Sequence, residues 1–212
     1  MRKWYPAFVV TIAVALSLAA YGRLPDPMPV HWNIHGQVDD YGSRFLGAFL
    51  NPLIMLAIAV LIPVLPRIDP RGRNYEKFSA TYHTMMNATL TLMFGIHLFA
   101  LGSALGMDIP MARVVPAGVG ILFIVMGNLL PRVRPNWMVG IRTPWTLSSD
   151  RVWERTHRVG GYLMMGAGVA LVLAAPFAPV FVTLVLILGG AVVASLGAVI
   201  YSYVVWRQER RA

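Results

Sequence analysis

The sequence predicts an all-α integral membrane protein that crosses the bilayer six times. Of its 212 residues, 57% are hydrophobic and only 13% are charged, whereas about 25% of the residues in a soluble domain are charged. The apolar residues are also gathered into uncharged runs, each near the roughly 20 residues that a helix needs to cross the hydrocarbon. The chain contains no cysteine, which excludes disulfides and thiolate chemistry.

Five uncharged runs contain the six predicted spans. The first four runs are 4–22, 45–66, 78–107 and 114–131. The fifth, 159–206, is too long for one span, and Pro176 and Pro179 divide it because proline interrupts a helix. The first run follows Arg2 and Lys3 and therefore also resembles a cleaved signal peptide, but its length favours a retained span.

The basic residues predict the orientation of the spans. Fifteen of the 18 Lys and Arg lie in the N-terminus, in the second and fourth connections and in the C-terminal tail, whereas the alternate connections hold only Arg23, Arg44 and Arg113. Because basic connections stay on the cytoplasmic side, both termini should be cytoplasmic. The formal charge of +9 therefore indicates topology and contact with membrane lipid, and we expect no direct binding to nucleic acid.

The first external connection is predicted to be a structured loop. Pro25, Pro27 and Pro29 impose extended geometry, residues 30–34 alternate as in a short strand, and Gly36 is placed to turn the chain.

The same connection contains residue types that bind zinc, namely His31, His35, Asp39 and Asp40. The surrounding proline and glycine disfavour one helix that would carry both histidines. We therefore interpret these side chains as hydrogen-bonded loop structure and expect no metal, with zinc binding as the alternative.

The fourth connection, residues 131–158, is predicted to be a basic cytoplasmic loop with a short helix. Ser149 is expected to cap a helix that continues into the fifth span, with Glu154 facing Arg158 one turn later. The segment holds three of the six tryptophans and six arginines. These residues form either an interfacial belt at the inner leaflet or a docking surface for a partner, and both interpretations remain open.

The residues of the spans predict a protein that is not an enzyme. Their centres carry no Asp, Glu, Lys or Arg, and the sequence motifs of metalloproteases, serine hydrolases and phosphate-binding loops are absent. Asn51, Asn87 and His97 are the notable polar residues in the spans, and an interhelical hydrogen bond is the expected role of His97. We expect a protein without catalytic residues and without a cofactor.

The two unusual connections resemble the SdpI family of bacterial membrane immunity proteins, including the domain of unknown function that often precedes the family's signature region. In the external connection the matching residues include Pro29, His31, Trp32, Asn33, Gly36, Asp39, Tyr41 and Gly42. Trp32 stands where phenylalanine is usual, and Arg44 stands where lysine is usual. In the cytoplasmic connection and its flanks they include Asn128, Asn136, Gly140, Arg142, Thr143, Pro144, Trp145, Trp153, His157 and Arg158.

The resemblance implies a protein of the bacterial cytoplasmic membrane that gives immunity to a secreted membrane-active peptide toxin. It also implies signalling by retention of a soluble transcriptional repressor at the membrane. The external residues would then form a ligand-sensing loop, and the cytoplasmic residues would form a coupling motif. We expect residues 1–66 to form a two-span module and residues 67–212 a four-span SdpI-like module within one membrane-embedded unit. The alternative function is a small transporter or lipid-handling protein.

Overall fold

The computed structural model describes residues 3–211 and confirms the predicted all-α membrane class. Six helices in this part of the chain are long and apolar enough to cross a membrane. In chain order, the helices are α1 (Tyr5–Ala20), α2 (Arg44–Ile68), α3 (Tyr75–Ala104), α4 (Met111–Leu129), the short α5 (Pro144–Ser148), α6 (Asp150–Ala174) and α7 (Val180–Glu209).

Local sequence explains where several helices begin and end. The side chains of Ser43 and Ser149 each accept a backbone hydrogen bond at the starts of α2 and α6, as expected for Ser149. The break between α6 and α7 falls where the two prolines predict it.

The predicted pairing of Glu154 with Arg158 is wrong. Glu154 instead lies 2.8 Å from Arg134 (Oε1 to Nη1). The loop before α6 folds back along this helix, since the Trp153 indole donates a hydrogen bond to the carbonyl of Val133. This fold places Arg134 beside Glu154.

A β-hairpin follows α1. Its strands, β1 (Met28–Trp32) and β2 (Val38–Gly42), are antiparallel. The predicted strand is therefore present but begins two residues earlier than the alternation suggests. Met28 is fully buried and packs against Gly47 of α2, so the hairpin is attached to the helix bundle.

The buried side chains join the two halves of the chain. One cluster contains Val9, Met55 and Tyr82 from the first three helices together with Leu129 and Trp153 from α4 and α6. By contrast, many large apolar side chains of α2 and α7 are exposed. Exposed apolar faces on helices of this length are expected where helices meet lipid.

Helices α4 and α6 pack through glycines, which we call the glycine seam (Gly120, Gly127, Gly161 and Gly168). A Cβ atom at Gly127 would lie 2.5 Å from the carbonyl oxygen of Gly161, and one at Gly168 would lie 2.6 Å from that of Gly120. The two backbones are therefore in direct contact, as small residues permit between helices in a membrane.

The expected interhelical hydrogen bond of His97 is confirmed. The hydroxyl of Ser17 donates to the carbonyl of Ala48 at 2.6 Å, and the Nε2 atom of His97 lies 3.0 Å from that hydroxyl oxygen. Since the serine hydrogen is already used, His97 donates to the serine. Asn51 likewise donates to the carbonyl of Met93, so these buried polar groups link α1, α2 and α3.

Candidate functional site

Two candidate surfaces lie at opposite ends of the helix bundle. The hairpin site consists of β1, β2 and their turn, and the motif loop consists of residues 130–149. Helix α2 begins directly after the hairpin, and the carboxylate of Asp69, just beyond its other end, binds the motif loop at Trp137. The 25 residues of α2 span about 37 Å at 1.5 Å per residue, which separates the two surfaces by roughly the thickness of a membrane.

Asn33 and Gly36 shape the turn of the hairpin site. The side-chain oxygen of Asn33 accepts hydrogen bonds from the backbone N–H groups of His35 and Gln37. Gly36 has a φ of +77°, a conformation that favours glycine. A Cβ atom at Gly36 would also lie 2.9 Å from the backbone nitrogen of Ala112. The turn therefore rests directly on the first turn of α4.

The residues named for the zinc alternative, His31, His35, Asp39 and Asp40, do not converge in the hairpin site. His31 Nδ1 lies 2.6 Å from Asp39 Oδ1, and the two side chains are 65% and 40% exposed. The carboxylate of Asp40 instead accepts from the backbone of Tyr41. Within residues 3–211, no three His, Asp or Glu side chains come together as a metal site would require.

The inner face of the hairpin covers an apolar cavity of about 330 Å³. Its walls include Trp32 from β1, Val115 from α4, and Thr183 and Leu184 from α7. Pro29 lies opposite Tyr41 in the hairpin register, and a Cβ at Gly42 would contact the Val30 side chain, so these members of the site shape the hairpin rather than line the cavity.

Asn136 organises the first part of the motif loop. It is fully buried, and its Oδ1 atom accepts from the backbone N–H groups of Met138 and Val139. Its Nδ2 atom donates to the carbonyls of Arg134 and Val139. One side chain thus satisfies four backbone groups of an irregular segment that would otherwise need water.

His157 and Trp153 attach the middle of the motif loop to α6. The two rings are stacked with their centroids 4.0 Å apart. His157 accepts from the N–H of Ile141 through Nε2 and donates from Nδ1 to the carbonyl of Trp153. Gly140 has a φ of +112°, and any Cβ there would collide with the His157 ring. The glycine is therefore required by both backbone conformation and packing.

Thr143 attaches the end of the motif loop to α7. Its side chain and that of Thr146 form a reciprocal cap at the start of α5, and its hydroxyl lies 3.0 Å from that of Ser202. Trp145 packs against Tyr203 with ring centroids 5.1 Å apart. The short helix α5, which precedes the helix predicted to start after Ser149, is therefore held between α6 and α7.

The motif residues differ in burial, and Gly140 and Trp145 are half-buried. Asn136, Thr143, Trp153 and His157 are between 0% and 6% exposed. This burial corrects the expectation for Trp153 as a docking residue, because a buried side chain cannot touch a soluble partner. Exposed members of the motif are Asn128, Arg142, Pro144 and Arg158. Arg142 is partly engaged, since its guanidinium donates to the carbonyl of Trp137 at 2.6 Å.

Comparisons with known proteins agree with the resemblance to the SdpI family that the sequence shows. Residues 132–202 match the SdpI/YfhL protein family, and residues 8–56 match a domain of unknown function, DUF1648. The SdpI match is therefore preceded along the chain by the DUF1648 match. It is also 26% identical over 179 residues to Immunity protein SdpI of Bacillus subtilis (strain 168), a match that covers 84% of each chain. No solved structure matches the chain.

The connection between α2 and α3, which lies outside both matched regions, is bound to the SdpI region. Asp69 is 6% exposed, and its Oδ2 atom accepts from the backbone N–H of Trp137 at 2.9 Å. The Tyr75 hydroxyl lies 3.1 Å from Asp69 Oδ2 and 3.2 Å from Asn136 Oδ1. Asn74 adds a hydrogen bond to the carbonyl of Pro135.

Sequence reasoning did not identify Asp69 and Tyr75 as part of the candidate site. One signal was available for Asp69, because a carboxylate just after the end of a helix is disfavoured by the helix dipole. An acid at such a position therefore needs another partner, which the N–H groups of Arg71 and Trp137 provide. Nothing in the sequence pattern marks Tyr75, because its hydrogen bonds depend on tertiary packing.

Proposed function

We propose that the protein gives immunity to a secreted membrane-active peptide toxin without acting as an enzyme. The observation that carries this proposal is the similarity to Immunity protein SdpI over 84% of both chains. A match of this length must include the motif loop, and the DUF1648 match at residues 8–56 contains the hairpin site. A non-enzymatic role is also supported by the site geometry. The polar groups of Asn136 and the ring nitrogens of His157 are occupied by backbone partners, so they are not free to react with a substrate.

The two surfaces have different proposed roles. The hairpin site is the toxin-sensing surface, because its apolar cavity beside Trp32 suits an apolar side chain of a membrane-active peptide. The exposed part of the motif loop with Arg142, together with Arg158 of α6, is the coupling surface for a soluble repressor. The hydrogen bonds of Asp69 and Tyr75 would hold this surface in one arrangement relative to α2 and α3.

Deletion of the gene in a bacterium that encodes this chain tests the immunity proposal. The deletion strain should be killed by spent medium from its own parent strain, and a plasmid copy of the chain should restore survival. Equal survival of the deletion and parent strains would contradict the proposal. Solute uptake by reconstituted protein, without any effect on survival, would instead favour the transporter alternative.

The orientation is part of the proposal and has its own test. With both termini cytoplasmic, reporter fusions after Gly36 and Asp108 should read as external. Fusions after Asn74 and Ser149 should read as cytoplasmic. The reversed pattern would place the hairpin site inside the cell, and the roles proposed for both surfaces would then be wrong.

A further inference from the structure

An apolar crevice opens between α1, α2 and α3 at the end of the bundle that carries the motif loop. Its volume is about 970 Å³. The walls include Pro6 and Val10 of α1, Ile62 and Pro63 of α2, and Tyr82 of α3. The crevice lies within the apolar part of three predicted spans, so its walls favour hydrocarbon over water.

Small side chains lie along the walls of the crevice. Ala7, Ala59 and Ser79 all line it, so each of the three helices presents a short side chain there. Carbon atoms gain dispersion energy from every neighbour at contact distance. A flexible hydrocarbon chain from the surrounding membrane would supply such neighbours along the walls of the crevice.

A polar depression of about 650 Å³ adjoins the crevice and shares Pro66 and Gly72 with it. Arg67 and Arg73 line the depression and are exposed, and Lys3 lies at the rim of the crevice. Arg67 and Arg73 form no ion pair with any side chain in residues 3–211. Two guanidinium groups are therefore available next to an apolar space.

The acidic residues nearby leave a positive excess at this mouth. Both carboxylate oxygens of Asp69 accept hydrogen bonds from the Arg71 and Trp137 backbones or from Tyr75. Asp150 lies 3.7 Å from the Arg71 guanidinium. Glu76 lines the crevice. The crevice and the depression are thus lined by four basic residues, Lys3, Arg67, Arg71 and Arg73, against the three acids Asp69, Glu76 and Asp150.

We infer that this crevice and its basic mouth bind one anionic glycerophospholipid, with an acyl chain between the helices and the phosphate at Arg67 and Arg73. Basic pockets between transmembrane helices are known to bind acidic lipid headgroups. The planar guanidinium also matches a phosphate with two parallel hydrogen bonds. This inference is independent of the proposed immunity, because it needs only the crevice, the two arginines and a bilayer.

The test measures binding of phosphatidylglycerol to the purified full-length protein in detergent. Phosphatidylglycerol should raise the thermal unfolding midpoint to saturation, and native mass spectrometry should show one retained lipid per chain. Phosphatidylcholine should do neither. Replacing both arginines, Arg67→Gln with Arg73→Gln, should raise the apparent Kd for phosphatidylglycerol about 30-fold, since each basic residue near an anionic surface contributes about 5.5-fold.

A matched pair of charge variants separates a specific site from general attraction to basic surface. Arg155 and Arg207 are also exposed, so the double change Arg155→Gln with Arg207→Gln removes the same charge elsewhere. This control should leave the Kd within about twofold. Equal weakening by both double variants, or equal stabilisation by the two lipids, would overturn the inference.

A second matched pair tests the acyl-chain part of the site. Ser79→Phe would place a ring in the crevice, whereas Ala80→Phe places the same ring at the next position, which does not line the crevice. Both residues are exposed, so neither change buries a ring against the core. Ser79→Phe should weaken phosphatidylglycerol binding at least about tenfold relative to Ala80→Phe, and equal Kd values for the two variants would overturn the assignment of the crevice.

Discussion

Replacing Asp69 with asparagine should destabilise the contact between the α2–α3 connection and the motif loop. Asp69 accepts through both carboxylate oxygens: Oδ1 from the Arg71 N–H at 2.7 Å, and Oδ2 from the Trp137 N–H at 2.9 Å and the Tyr75 hydroxyl at 3.1 Å. Asparagine has the same shape but only one acceptor oxygen. In either orientation its NH₂ group must therefore face at least one N–H donor.

The magnitude follows from these contacts. A hydrogen bond to a charged group contributes about 1.5–3 kcal/mol. In the better orientation the amide oxygen keeps the bonds from Trp137 and Tyr75 and loses the one from Arg71. We therefore expect Asp69→Asn to lower the free energy of unfolding by about 2 kcal/mol, with a larger loss if the amide adopts the other orientation.

Asp150→Asn is the matched control for this prediction. It makes the same chemical change, but the Asp150 side chain is 80% exposed and its contact with Arg71 is 3.7 Å long. Pairs of this kind contribute about 0–1 kcal/mol. The assay is thermal unfolding of each purified variant in the same detergent.

An equal loss of stability in Asp69→Asn and Asp150→Asn would refute the reasoning about Asp69. Asp69 accepts three hydrogen bonds, whereas the Asp150 carboxylate makes the 3.7 Å contact with Arg71.

Three further predictions concern the helix seam and the two surfaces. Gly127→Ala should lower the free energy of unfolding by about 2 kcal/mol, because its Cβ would overlap the backbone of α6. A Cβ atom at Gly166 would meet open space, so Gly166→Ala should leave the stability of the protein unchanged or raise it. Equal shifts of the unfolding temperature in the two variants would contradict the close packing of α4 and α6 at the glycine seam. Arg142→Lys should abolish repressor recruitment at a normal membrane level, measured by co-purification, and retained recruitment would remove this arginine from the coupling surface. Elemental analysis should find no stoichiometric zinc in the wild-type protein or in the double variant His31→Gln with His35→Gln. Stoichiometric zinc in the wild-type protein that is missing from the double variant would contradict this expectation.

The helices could be predicted because charge and proline act locally. An uncharged run has a length that can be compared directly with the bilayer, and Ser149 caps the helix that follows it whatever the rest of the fold does. The turn at Gly36 could be predicted for the same reason, since it depends on the residue itself.

The partners of side chains could not be predicted where tertiary packing selects them. Glu154 had a plausible partner one helical turn away, but the chain brings Arg134 closer. Trp153 beside several arginines resembles an exposed interfacial residue, and only the fold of the motif loop shows that its indole is buried and donates to a loop carbonyl. Burial of an aromatic residue in the first turn of a helix depends on contacts distant in sequence.

The glycine seam limits how α4 and α6 can move. Because their backbones touch at Gly127 and Gly161, no side-chain rotamer at this crossing can change to absorb a displacement. Helix α4 also carries the hairpin turn at one end, where Gly36 rests on Ala112. A force applied to the hairpin would therefore tilt α4 and α6 together as one rigid unit. This tilt would move the motif loop, which lies at the opposite end of the pair.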